Sequence, residues 1–169
     1  MNIIDAINGR RSIRKYTNEP LTDKQLETVL KAGFQAPSAH NRNPREYIVL
    51  KDREILEKIT KFHPYTKMLP QAGCGIVVCG DTTKQEREGF IVSDCSASIQ
   101  NMLLAAHGIG LGGVWCGIYP VPELMEPLRE LLKLPEHIIP IGIVAVGQPN
   151  EEKKQLDKFK EENIHYNSW

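Results

Sequence analysis

The alternation of apolar and polar positions divides the chain into helical and extended stretches. "NIIDAI", residues 2–7, reads as a short apolar helix ending near Asn8 and Gly9. In "TDKQLETVLKAGFQA", residues 22–36, Leu26, Val29, Leu30 and Gly33 share one helical face, Thr22 and Gln25 form a capping-box pattern, and Pro37 stops the helix. "EYIVL", residues 46–50, reads as a strand, and "DREILEKITKF", residues 52–62, as a helix capped by Asp52. "CGIVVCG", residues 74–80, is a continuous apolar run rich in β-branched residues, which predicts a strand buried on both faces. A long helix is predicted from about Glu86 to His107. Its small residues, Ser93, Ser96, Ala97, Ser98, Ala105 and Ala106, leave room for another helix or a flat ligand against its backbone. "GGVWCGIY", residues 112–119, predicts a strand and turn. "VPELMEPLRELLKL", residues 121–134, predicts a helix with Pro122 in its first turn, and "IIPIGIVAVG", residues 138–147, another buried strand. Residues 150–169 are highly charged but end in His165, Tyr166 and Trp169, aromatics that a purely solvated tail does not need. Nothing repeats and no linker interrupts the pattern. Alternating helices and strands predict one domain, α/β or α+β, with a single sheet covered by helices.

Composition narrows the function classes. A chain of 169 residues suits one domain with a proper core, and 41% apolar with 25% charged residues is ordinary for a globular protein. The 21 basic and 21 acidic residues cancel, so no global field draws in nucleic acid or anionic lipid, and any anion site must be a local cluster. The N-terminus reads as neither a signal peptide nor a membrane span. Cys74, Cys79, Cys95 and Cys116 form no C-x-x-C pair and sit mostly in apolar runs, the pattern of buried reduced thiols in a cytoplasmic protein. The five histidines lie far apart and give no zinc spacing.

Gly108, Gly110 and Gly113 spell the G-x-G-x-x-G of a dinucleotide-binding turn, but the context is reversed. That fingerprint follows a strand and opens a helix, whose N-terminus faces the pyrophosphate. Here the glycines follow a helix and precede a strand, so Gly108 and Gly110 read as a helix C-cap, where the partial charge is negative. Gly112, Gly113 and Gly117 around Trp115 need a further reason, and bare backbone there suits a planar ligand.

Two constellations carry candidate chemistry. Arg10, Arg11, Arg14 and Lys15 fall within six residues. Were the segment helical, Arg10 and Arg14 at i, i+4 would cost about 0.2–0.5 kcal/mol. The cluster is either a solvated basic turn or, with Ser12 among the arginines and Ile13 and Tyr16 facing inward, a phosphate site. "APSAHNRNP", residues 36–44, is either an ordinary turn cluster or a loop whose Ser38, Asn41 and Asn43 meet the edge of a heteroaromatic ring, with His40 among them. No hydrolase elbow and no acid/base pair is visible, which points to a cofactor as the carrier of any reaction.

Together these segments resemble the nitroreductase family of flavin-mononucleotide enzymes. The matching stretches are "RRSIRKY" at 10–16, "APSAHNRNPREYIVL" at 36–50, "DCSASIQNMLLAAHGIGLGGVWCG" at 94–117, "IPIGIVAVGQP" at 139–149 and the ending "IHYNSW", in the family's order over almost the whole chain. The resemblance implies an α+β fold, a mostly antiparallel sheet flanked by helices around a long central helix, in a single domain over residues 1–169. It implies an intertwined homodimer with two FMN sites at the interface, and residues 150–169 as a C-terminal extension packing on the partner. Arg10, Arg11, Ser12 and Arg14 would bind the phosphate and ribityl chain. Pro37, Ser38, Ala39, Asn41 and Asn43, from the partner chain, would reach the flavin. Val114, Trp115, Cys116 and Gly117 would run along the ring with a backbone N–H near N5. A C-terminal lysine, Lys158 first and Lys154 second, would complete the phosphate site. The implied activity passes hydride from NADH or NADPH to nitroaromatics, quinones or flavins in a ping-pong cycle, with no catalytic side chain named. Alternatives are a specialised flavin enzyme such as a reductive dehalogenase, or a flavin-binding or redox-sensing protein with little turnover. Asn43 stands where the family often has Gln, and Arg45 where it has a bulky aromatic, so Arg45 is expected in the pocket wall or facing solvent. Long insertions that cover the pocket are missing, which implies an open site.

Overall fold

The computed structural model describes residues 1–169. Four strands, β1 (Arg45–Leu50), β2 (Cys74–Asp81), β3 (Gly112–Gly117) and β4 (Ile138–Gly147), form one sheet in the order β1-β2-β4-β3, and every pairing is antiparallel. This makes the fold α+β. The helices are α1 (Ile3–Gly9), α2 (Asp23–Phe34), α3 (Arg53–Phe62), α4 (Glu88–Gly108) and α5 (Pro122–Leu132).

The central strands β2 and β4 are apolar at successive positions because each face of the sheet carries its own core. Ile76 and Val78 of β2 join Val29, Ile99 and Met102 under α2 and α4. Val77 and Cys79 point the other way, into a core with Leu56, Ile59, Leu69 and Leu128 of α3, α5 and the segment between α3 and β2. Along β2 the side chains thus alternate between two buried layers, as strand geometry requires.

The predicted caps are present. Gln25 N–H donates to Thr22 Oγ1 at 3.2 Å while Thr22 N–H donates to Gln25 Oε1 at 2.9 Å, and Glu54 N–H donates to Asp52 Oδ1 at 2.8 Å. Helix α4 starts at Glu88, two residues later than the pattern suggests, and runs through Gly108. Of the two glycines read as its cap, Gly110 alone takes the left-handed conformation, with φ of 83°. The small residues of α4 serve close approach within the chain. Ser98 is buried with its Oγ 2.7 Å from the Tyr47 hydroxyl, and a Cβ on Gly33 of α2 would fall 2.4 Å from Met102 Cε.

Residues 10–17 are extended, so the helical Arg10–Arg14 repulsion does not arise. Ser12 pairs parallel with Gly113, Tyr16 pairs antiparallel with Pro149, and the buried Tyr16 hydroxyl donates to the Ile13 carbonyl at 2.7 Å. All four cysteines are unpaired and buried, and burial pushes Cys74 and Cys116 up to about 11 and Cys79 and Cys95 up to about 12. No helix is long and apolar enough to cross a membrane. Helix α1 is apolar but buries only Ala6, leaving Ile3, Ile4 and Ile7 half exposed or more.

A Cβ on Gly80 would lie 2.0 Å from Ile91 Cγ2. Gly80→Ala should therefore push α4 off the sheet and cost about 1–3 kcal/mol, read as a lower midpoint in urea denaturation.

Candidate functional site

Strand β3 lies at one edge of the sheet, with β4 on one side only. In an antiparallel strand the N–H and C=O of one residue point the same way, and successive residues alternate. The Gly113 carbonyl accepts Ile13 N–H at 3.1 Å, and the Gly117 carbonyl meets His63 Nε2 at 2.8 Å, so both face the open edge. By the same alternation Trp115 presents its N–H and C=O there, between the two. Gly117 keeps its N–H on that side as well.

This edge forms one wall of a cavity of about 770 Å3. Val114, Trp115, Cys116 and Gly117 line it together with Arg14, so the structure brings five of the sequence-derived site residues to one place. Trp115 is 39% exposed, and nothing lies within 4 Å of a Cβ built on Gly117, which leaves that part of the wall bare. The opposite wall comes from residues the sequence reading left unassigned: His63, Tyr65, Lys67, Met68 and Gln71, between α3 and β2. A loop of mixed polar and apolar residues has no period to mark it. Lys67 and Arg14 give the cavity its positive charges.

The arginines divide by their partners. Arg11 donates from Nε to the Lys154 carbonyl at 3.0 Å, from Nη1 to the carbonyls of Asn8 and Arg10 at 3.1 and 2.7 Å, and from Nη2 to the Leu156 carbonyl at 3.2 Å. Four of its five donors are thereby spent on main chain. Arg10 differs: its Nε is buried with no partner. Arg10 borders two hollows. One, of about 360 Å3, also touches Gly112, Gly113, His107 and Lys153, and the other, of about 750 Å3, touches Arg11 and Lys158. Lys153 donates from Nζ to the Ser12 carbonyl at 2.6 Å, so it reaches the basic segment directly, although the sequence pointed to Lys158 and Lys154. Lys154 contributes its carbonyl to Arg11.

The smaller hollow mixes charges, with Arg10, Arg11 and Lys153 beside Glu151 and Glu152. His107 has its pKa lowered by burial and then by Arg10 and Arg11, which leaves the charge to the arginines. Glu151 accepts Arg14 N–H and lies 3.4 Å from Lys153 Nζ; its carboxyl is held below the ordinary range first by that N–H.

The loop at 36–44 lies on the far side of the sheet. Pro37, Asn41 and Asn43 border a separate hollow of about 590 Å3 with Arg45, Glu46 and Lys84, next to β1. Three inter-strand spacings of about 4.8 Å separate β1 from β3. Within one chain, therefore, Pro37, Ser38, Ala39, Asn41 and Asn43 are not brought to the β3 cavity. Three loop residues other than glycine hold positive φ: His40 at 52°, Asn41 at 54° and Asn43 at 48°. Such clusters need support from their surroundings. Asn43 N–H donates to Ser38 Oγ at 3.0 Å, Asn43 Nδ2 donates to the Asn41 carbonyl at 2.9 Å, and Ala39 N–H donates to Asp94 Oδ1 of α4 at 2.9 Å. Arg45 does not face solvent, although it borders this hollow. It is buried under the loop, donating to the Pro37 carbonyl at 2.9 Å and to Asn43 Oδ1 at 2.7 Å. A guanidinium offers enough donors to hold both at once, whereas an aromatic side chain offers one at most.

The model of the Nitroreductase family matches residues 7–63 and 60–148. A Methanothermobacter thermautotrophicus protein, provisionally named NADH dehydrogenase/NAD(P)H nitroreductase, is 41% identical over 169 residues, covering 100% of this chain and 88% of the relative. A crystal structure from Parabacteroides distasonis, under the same provisional name, superposes with a TM-score of 0.95 at 38% identity and covers 100% of both chains. A Desulfovibrio desulfuricans structure, described as a nitroreductase in complex with FMN, has a TM-score of 0.85 at 28% identity and covers 100% of this chain and 98% of that one.

Arg11 binds the stretch from Lys154 to Leu156 to the end of α1. Arg11→Ala should release that stretch, seen as faster amide hydrogen exchange and earlier proteolytic cleavage after residue 151, with the sheet amides unchanged.

Proposed function

The chain belongs to the nitroreductase family, and from that premise we propose that it is an FMN-dependent oxidoreductase drawing electrons from NADH or NADPH. The observation that carries this reading is the bare β3 edge, which faces a cavity shared with Arg14 and Lys67 while Arg10 holds a buried, unpartnered Nε close by. A flat ring with an anionic tail fits both features: ring against the Trp115–Gly117 backbone, phosphate toward the basic segment. The FMN named in the Desulfovibrio complex supports the choice of cofactor.

Arg10, Ser12 and Arg14 would hold the phosphate and ribityl end, joined by Lys153 or Lys158. Arg11 would serve the same site by fixing the chain behind it. Val114, Trp115, Cys116 and Gly117 would lie along the ring. Bound FMN supplies hydride acceptance and delivery, which no side chain here offers. The protein's share is orientation and electrostatics: edge N–H groups and the charges of Arg14 and Lys67 stabilise negative charge as it develops. Donor and acceptor use one hollow and so alternate, a ping-pong cycle ending on a nitroaromatic, a quinone or another flavin.

The loop on the β1 side enters from a second copy. Pro37, Ser38, Ala39, Asn41 and Asn43 cannot reach the β3 cavity of their own chain, which favours a homodimer with two shared sites. The exposed Ile3, Ile4 and Ile7 of α1, with Leu156, Phe159, Tyr166 and Trp169 of the 150–169 extension, supply the apolar surface such a partner would cover.

Purified protein given FMN should turn yellow, bleach anaerobically on addition of NADH or NADPH, and recover colour with a nitroaromatic or a quinone. A yellow protein that neither nicotinamide bleaches would move the reading to flavin binding without turnover, and failure to take up FMN would end it. Arg10→Ala should weaken FMN binding by about 1.5–3 kcal/mol, the worth of a hydrogen bond to a charged group, measured by fluorescence titration.

A further inference from the structure

Resting on that reading of the cavity, we infer that His63 is a positioning residue for the flavin-facing edge of β3. Its ring is buried, 1% exposed, at the C-terminal end of α3. Tyr65 N–H approaches Nδ1 at 3.3 Å. A main-chain N–H can only donate, so Nδ1 accepts and the proton of the neutral ring sits on Nε2. Nε2–H then donates to the Gly117 carbonyl, 2.8 Å away.

Gly117 needs such a tether. It ends β3, it has no side chain, and nothing lies within 4 Å of a Cβ built on it. Just beyond it, Ile118 and Tyr119 both donate their N–H groups to the Ile141 carbonyl at 3.2 Å, so the chain turns inward and leaves the edge. Without His63 the peptide after Gly117 is held only through its Ile118 N–H, and the aim of the Gly117 carbonyl along the edge is no longer fixed from both sides. The His63 turn is itself rigid. The buried Thr66 donates from Oγ1 to the His63 carbonyl at 2.8 Å, and Cys116 Sγ makes a second tie to the turn at the Tyr65 carbonyl, 3.6 Å away. Ile13 anchors the strip at Gly113 and His63 anchors it at Gly117, which brackets Trp115 between two fixed points.

The test compares His63→Gln, which returns an N–H near the Nε2 position, with His63→Leu, which fills space without a donor. In flavin-free protein, exchange of the Ile118 amide, which shares its peptide with the Gly117 carbonyl, should quicken by about ten-fold in His63→Leu and stay near wild type in His63→Gln, in line with loss and recovery of one hydrogen bond. With FMN bound, His63→Leu should retain the cofactor through Arg10 yet show a visible band moved toward that of free FMN, and His63→Gln should restore the band. A folded leucine variant that matches wild type in both exchange and spectrum overturns the assignment. If the leucine variant does not fold, the ring 15N shifts of wild-type His63 decide: a proton on Nε2 supports the tether, and an Nδ1–H tautomer with bare Nε2 overturns it. A wild type that takes up no FMN defeats the proposed flavin function, and the exchange comparison alone then decides the tether.

Discussion

A single main-chain hydrogen bond, Ile13 N–H to the Gly113 carbonyl at 3.1 Å, joins the basic segment to the edge of β3. It fixes residues 12–17 in extended form along the sheet, where Tyr16 pins them from beneath and the Asn150 N–H donates to the Lys15 carbonyl at 2.8 Å. That path answers the charge problem of four cations within six residues. Arg11 turns away to collect carbonyls, Glu151 faces the Arg14 backbone, and Arg10 and Arg14 border separate hollows. A chain with no net charge thus gathers Arg10, Arg11 and Lys153 in one place, with Glu151 and Glu152 beside them. The cost of holding it open is carried by hydrogen bonds to main chain, which remain engaged whether or not an anion is present.

The sheet order sets the second constraint. With β3 at one edge and β1 at the other, the glycine strip and the Asn-rich loop are as far apart as four strands allow. Chain order does not help, since β2 and β4 fill the middle. On the proposed reading, the molecule resolves this by symmetry: an isologous pair brings the loop of each copy to the strip of the other.

Much of this was legible in the residues. β2 and β4 could be read because two covered faces leave an uninterrupted apolar run, and α2 because Thr22 and Gln25 close its first turn with side chains of fixed reach. The G-x-G-x-x-G match could be set aside because strand and helix stood in the wrong order. What escaped depends on which atom of a residue is used. Arg11 and Lys154 look like anion ligands by type, but one gives its guanidinium to carbonyls and the other gives its carbonyl to that guanidinium. Lys153 differs from Lys154 by one place in the chain and by the whole direction of its side chain. Arg45, standing where the resemblance has an aromatic, left wall and solvent both open; the oxygens of Pro37 and Asn43 arranged above it explain its buried place beside the hollow. His63 carried no signal, since its partner lies fifty-four residues away and no spacing links them.

In the loop from Ser38 to Arg45, Asn43 is fully engaged, while Arg45 Nε is buried without a partner. The Asn43 amide is already committed to Asn41, its N–H to Ser38, and its carbonyl oxygen to Arg45. A newcomer that recruits Asn43 must displace a bond of equal kind, so the exchange is close to neutral in enthalpy. Rigidity is what such a surface can contribute: the backbone has surrendered its conformational entropy at folding, before any encounter. Recognition at that rim would therefore discriminate by shape and angle, and leave tightness of hold to the cationic end of the molecule.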